Sequence, residues 1–178
     1  ALAGPLCAER EVSQPFLPWG DSGDYFVAPN GGFEDRFAGW RFGAGARVGS
    51  GNERLGLVAP GLKMLRLGGS GTATSEPFCV TDAEESFRFA VRNAGDPSST
   101  LDVWADVTYV EGETARATSV HLGTVQVSET AWEPSPIFAY GRFPTKDAML
   151  SIRFEATSPN SPGDWRVDAV LVDPYRCC

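Results

Sequence analysis

Between Leu101 and Tyr109 the chain alternates without a break. Leu101, Val103, Ala105, Val107 and Tyr109 fall on one side; Asp102, Trp104, Asp106 and Thr108 fall on the other. Side chains reverse direction at every residue of an extended strand, so this period-2 pattern buries one face and leaves the other wet. Two more segments repeat it. Phe87, Phe89 and Val91 alternate with Ser86, Arg88, Ala90 and Arg92, and Leu150, Ile152 and Phe154 oppose Met149, Ser151, Arg153 and Glu155. Half-buried strands of this kind predict antiparallel sheets.

Weaker strand signals lie at 40 to 48, 62 to 67, 72 to 78, 117 to 127, 136 to 143 and 164 to 172. They are separated by turn residues such as Gly68-Gly69-Ser70-Gly71 and Asn93-Ala94-Gly95-Asp96-Pro97. Within 117 to 127 the apolar parity changes from Val120 and Leu122 to Val125 and Val127 across Gly123, which predicts a β-bulge there. No stretch keeps a helical spacing, and no internal repeat or linker divides the chain. About nine or ten strands in one domain make an all-β, two-sheet sandwich. Ahead of it, Pro15, Pro18, Gly20 and Gly23 among Phe16, Leu17 and Trp19 predict an extended arm rather than a helix. The expected organisation is an N-terminal arm over 1–24 that packs on a sandwich over 25–178.

Composition narrows the function classes. Fifteen lysines and arginines against 23 aspartates and glutamates give a net charge of −8, which argues against nucleic acid as a partner. A single histidine, His121, excludes histidine-cluster metal sites and leaves little room for a serine–histidine–aspartate arrangement. It sits between Val120 and Leu122, on the face opposite them, and reads as a surface residue. No apolar run of about 18 residues is present to span a membrane.

Cys7, Cys79, Cys177 and Cys178 are too scattered for a zinc ribbon and read as disulfide cysteines. Adjacent cysteines bridge each other poorly, so Cys7 with Cys79 is the first expected pair, with free buried thiols as the alternative. That bridge would pin the arm to the body and close a long loop, worth roughly 4 kcal/mol by loop-entropy reasoning. Cys177 and Cys178 can bridge within the chain, bridge to a neighbour or stay free. Ala1-Leu2-Ala3-Gly4 resembles the small-residue end of a cleaved secretory signal, which predicts an exported protein, extracellular or at the cell surface.

The string Asn30-Gly31-Gly32-Phe33-Glu34, followed by Gly39-Trp40 and an aliphatic strand, resembles the opening of the galactose-binding-like jelly rolls, a superfamily that includes many xylan- and glucan-binding modules. Leu65-Arg66-Leu67, Thr74-Ser75-Glu76-Pro77-Phe78, the Phe87-Phe89-Val91 strand, Trp132 and Trp165-Arg166-Val167-Asp168 follow in the expected order, covering roughly residues 25 to 175. The resemblance implies a single-domain antiparallel jelly-roll β-sandwich. The run Ser13-Gln14-Pro15-Phe16-Leu17-Pro18-Trp19, with Cys7 and Cys79, is also similar to a group of secreted bacterial proteins.

In the resembled modules a structural calcium is held by the glutamate of the opening string, an aspartate of the last strand and backbone carbonyls. Glu34 and Asp168 match those positions, while Ala169 stands where an Asp-Asp pair is common. The residues themselves read equally as a solvated turn and a strand-capping carboxylate. Sugar recognition in such modules uses an outward aromatic ring with polar neighbours. Trp104 is that candidate, beside Asp102 and Asp106, with Arg88 and Arg153 expected on adjacent strands. The competing reading buries Trp104 under a loop or the arm. Trp40, Trp132 and Trp165 read as core or edge packing, and Trp19 as a partner of Phe16. A glycosidase needs two carboxylates about 5 to 10 Å apart, one with a raised pKa, and acids clustered in turns such as Asp82, Glu84, Glu85, Glu111 and Glu113 are weak grounds for one.

Two functions follow as expectations. One is a non-catalytic module for extracellular or cell-wall polysaccharide, with Trp104 as platform. The other is a structural subunit that assembles with copies of itself into a filament or coat through its arm, its strand edges and its terminal cysteines.

Overall fold

The computed structural model describes residues 7–127 and 130–174. The first strands are β1 (Phe26–Val27), β2 (Trp40–Phe42), β3 (Ala46–Ser50), β4 (Lys63–Gly68), β5 (Thr72–Ser75) and β6 (Phe78–Thr81). Then come β7 (Glu84–Asn93), β8 (Thr100–Glu111), β9 (Thr114–Val125), β10 (Glu133–Pro134), β11 (Phe138–Ala139), β12 (Asp147–Thr157) and β13 (Asp164–Pro174). A short 3-10 turn, Leu17–Trp19, lies ahead of them, with Pro18 inside it and Gly20 closing it at φ 81°.

These strands form two antiparallel sheets. A seven-stranded sheet runs β10-β7-β13-β4-β3, with β1 on β13 and β11 on β7; a six-stranded sheet runs β2-β5-β12-β8-β9, with β6 on β12. Their inner faces meet in one core. Phe87, Phe89 and Val91 from one sheet face Val103, Leu150, Ile152 and Phe154 from the other, all fully buried. Phe89 meets Phe154 edge to face at 4.9 Å between ring centroids, and Trp40 stacks on Phe154 at 6.0 Å. Each such side chain contributes about 1.5–3 kcal/mol by leaving water, which is what the period-2 patterns encode. The protein is an all-β jelly-roll sandwich.

Where strand ends differ from expectation, the backbone supplies the reason. The segment 40 to 48 is two strands, because the chain reverses through Gly43 and Gly45; Gly45 sits at φ 83°, and a Cβ on Gly43 would overlap the Thr72 hydroxyl. Pro77, which has no N–H to donate, separates β5 from β6; of the segment 136 to 143 only the short β11 forms a strand, and a second short strand, β10, lies ahead of it and ends at Pro134. The expected bulge is present. Val103 pairs with Gly123 and Trp104 with His121, so Leu122 is the extra residue.

The N-terminal segment lies on the outer face of the seven-stranded sheet. Ser13 bridges to Tyr25, and Phe16 is fully buried with Tyr25, Leu57, Ala90 and Leu171. Trp19 meets Phe16 edge to face, as expected. Cys7 and Cys79 form a disulfide, Cα to Cα 5.5 Å, that ties the segment to β6. Cys177 and Cys178 lie outside the described residues. No helix among the described residues is long and apolar enough to cross a membrane.

Candidate functional site

The outer face of the six-stranded sheet carries the candidate site. Three strands build it, because β12, β8 and β9 pair over almost their whole length and each sends alternate residues outward. One cross-strand row reads Thr74, Arg153, Trp104, His121. The next reads Thr72, Glu155, Asp102, Thr124, and on the other side Ser151, Asp106 and Ser119 line up.

Trp104 is half-buried between its two row neighbours rather than sealed in the core or covered by the arm. The Arg153 guanidinium lies 4.6 Å from the indole centroid, and the His121 ring lies 4.8 Å from it. The indole Nε1 is buried with no hydrogen-bond partner among the described residues. Arg153 also bonds Glu155, Asp106 at 3.4 Å and Ser119 Oγ at 3.1 Å. Burial opposes its charge, yet Glu155 and Asp106 outweigh it and hold the guanidinium more firmly protonated.

Asp102 lies 2.9 Å from His121 Nε2 and accepts from the Thr124 hydroxyl at 2.7 Å and the Thr157 hydroxyl at 3.4 Å. Burial pushes its carboxyl up, but the bonds from Thr124 and His121 prevail and hold it below the usual carboxylate range. Asp102, Asp106, Trp104 and Arg153 are therefore brought together as read from the sequence. His121 is added to them by the bulge, since a regular ladder would set Leu122 opposite Trp104.

Arg88 is the correction. It projects from β7 on the outer face of the other sheet, where its guanidinium lies 4.3 Å from the Phe16 ring and 2.7 Å from Asp21, and donates to the Ser135 carbonyl at 2.8 Å. It clamps the arm and takes no part in the face around Trp104. The alternation fixes which way Arg88 points, but β7 and β8, neighbours in sequence, belong to different sheets.

Glu34 and Asp168 come near enough for the charge of one to act on the other at a third place, where the loop after β1 and the loop after β3 cross β13. Glu34 Oε1 accepts the amides of Leu62 and Lys63; Asp168, 1 % exposed, accepts those of Glu53 and Ala169. Glu53 is buried beside them and accepts the amides of Leu55, Gly56 and Leu57. Burial pushes the Asp168 carboxyl up to about 7 against its two amide bonds, and the charges of Glu53 and Glu34 add to the shift. That charge balance suits a hard cation, which prefers six to eight oxygens. Among the described residues no group of three or more His, Cys, Asp or Glu side chains is placed to hold a metal, so an ion here would draw on Glu34, Asp168 and backbone oxygens.

No protein-family model matches the chain. No curated protein matches it either. Solved structures do. The CBM22-1 and GH10 modules of the Clostridium thermocellum endo-1,4-β-D-xylanase 10B, complexed with xylohexaose, superpose with a TM-score of 0.55 at 19 % identity, over 82 % of this chain and 28 % of that one. The CBM22-1 xylan-binding domain of Paenibacillus barcinonensis Xyn10C gives 0.51 at 15 % identity, over 82 % of this chain and 93 % of that one. A family 16 carbohydrate-binding module gives 0.51 at 14 %, over 82 % and 98 %. The fold is that of the carbohydrate-binding-module sandwiches.

Proposed function

We propose that this protein is a non-catalytic carbohydrate-binding module that takes an extracellular or cell-wall polysaccharide on the sheet face around Trp104. The observation that carries the reading is the Arg153–Trp104–His121 row, half-buried on an open sheet and flanked by carboxylates already held in place. Such a row offers ring carbon to a pyranose and oriented donors and acceptors to its hydroxyls, with little ordering left to do on binding. The similarity to a xylan-binding domain and to modules complexed with xylohexaose supports a neutral xylan as the first ligand to try.

Hydrolysis has poor support here. A general acid needs a raised pKa and access to substrate. Asp102 is held low, while Asp168, the raised carboxyl, is buried on the other sheet. The Cys7–Cys79 bridge supports an oxidising, extracellular setting. Calcium at Glu34 and Asp168 is a separate part of the proposal, and a stabilising shift in melting temperature on adding calcium to chelator-treated protein would bear it out.

Affinity electrophoresis against xylans and β-glucans tests the main reading: retardation by at least one of them, abolished by Trp104→Ala, is the expected result. One observation favours the second reading, a self-assembling subunit. β9 is the outer strand of its sheet, and Thr114–His121 is exposed on both faces, an edge that can accept a strand from another copy. A concentration-dependent oligomer in size-exclusion chromatography, dispersed by Ser119→Pro, would support it.

A further inference from the structure

The outer face of the seven-stranded sheet is divided. The arm and the loop after β3 cover the part near Phe16 and Leu57, and the remainder carries a second row of side chains. Arg47 pairs with Arg66, Arg66 with Arg166, and Arg166 with Arg92, so four arginines stand directly opposite one another on β3, β4, β13 and β7. Their neighbours Val48, Leu65, Val167 and Val91 point into the core, so the guanidiniums point out.

Three strand spacings separate the ends of the row, about 14 Å. The Trp132 ring lies 6.0 Å from the Arg92 guanidinium at one end. At the other end Arg36 and Lys63 line, with Arg47 and Arg66, a groove of about 450 Å³. Adding Arg54, whose charge acts on Arg92, the four row arginines plus Arg36, Lys63 and Arg54 make seven of the fifteen lysines and arginines in a chain of net charge −8.

As a purely structural feature this row is costly. Like charges directly opposite one another on a sheet destabilise it. Asp164 bridges Arg66 and Arg166 at 2.8 Å each. The Nε atoms of Arg92 and Arg166 are buried with no hydrogen-bond partner among the described residues, where buried donors normally have one. Burial, and then the charge of Arg166, push the Arg92 guanidinium below its usual range. The sheet even makes room for the row: a Cβ on Gly49 would stand 2.8 Å from Arg66 Cδ. Features that violate packing and charge rules in concert mark functional surfaces.

We infer that this row is a second binding site, on the opposite side of the sandwich from Trp104, for a linear acidic polysaccharide bearing carboxylate or sulfate groups. One guanidinium per strand presents planar, paired donors at a repeat comparable with the advance of a pyranose along its chain, which is the geometry for bidentate recognition of successive anionic groups. A long polyphosphate fits less well. The chain as a whole carries a net charge of −8, and the row has two separated rings, Trp132 at one end and the exposed Phe37 in the groove at the other, where single-stranded nucleic acid needs a continuous series of stacking platforms.

The test uses the full chain in native gels containing polygalacturonate or its fully methyl-esterified form, together with titration of a labelled single-stranded oligonucleotide. Retardation by polygalacturonate is expected to vanish on esterification and to weaken as salt screens the charges. Arg47→Gln with Arg92→Gln should weaken it about tenfold, as the loss of two exposed or half-exposed charge contacts implies. Arg47→Gln with Arg54→Gln, both exposed, should act in the same direction if the first pair disturbs folding. Trp104→Ala and Arg116→Gln should leave it unchanged, which separates this site from the proposed one for neutral glycan. Equal retardation by the esterified polymer, indifference to both arginine pairs, or tighter binding of the oligonucleotide would overturn the inference.

Discussion

Trp104 shows how a residue's neighbours decide its use. Its ring is flanked by Arg153 and His121, so the half-buried indole stands between fixed polar groups rather than as a bare plate. Trp104→Ala should remove polysaccharide retardation while costing about 2 kcal/mol of stability, roughly half the penalty of a fully buried tryptophan. Asp168 supports a different prediction. Its carboxyl titrates near 7 in the fold against an ordinary value near 3.8, so the folded protein holds a proton that the unfolded chain has released. In chelator-treated protein the contribution of Asp168 to stability should therefore be full near pH 4, fall as pH rises to about 7 and level off above, a change on the order of 4 kcal/mol. Urea midpoints across that range should show the slope, and Asp168→Asn should flatten it.

At the scale of elements, the alternation in 86 to 92, 100 to 110 and 148 to 156 was enough to place three long strands and the outward direction of Trp104, Arg153 and Arg88. It did not say which sheet each strand joins. The alternation alone allows Arg88 and Trp104 to share one face, but the jelly roll sends β7 and β8 to opposite sheets. The arginine row is hidden in the sequence for the same reason. Arg47, Arg66, Arg92 and Arg166 each stand between core residues in a period-2 pattern, which is visible strand by strand, but only the pairing of β3, β4, β13 and β7 lines them up. The parity change at Gly123 was legible, and its consequence, His121 beside Trp104, required the register. The arm is the element most open to test. Cys7→Ser with Cys79→Ser should lower stability by about 4 kcal/mol through the 72-residue separation that the bridge closes, and Phe16→Ala should cost about 3 kcal/mol by emptying the site it fills under Arg88. Thermal melts read both.

Over the whole molecule, two sheets present two unlike outer faces. One carries a mixed row of arginine, tryptophan and histidine between bonded carboxylates; the other is closed by the arm at one end and cationic at the other. A sandwich of this kind buries its aromatics between the layers and leaves the outer faces open to adopt binding chemistry without loss of the fold. The fold was readable because burial imposes its period on every strand. The sites were readable only in part, because they are made by side chains from strands distant in sequence. Glycan recognition at Trp104 is tested most directly by affinity electrophoresis of the wild-type and Trp104→Ala proteins against a panel of neutral xylans and β-glucans. Retardation of the wild type by at least one polysaccharide, lost in a variant that still melts cooperatively, is the predicted result; equal mobility of both proteins in every gel would contradict it.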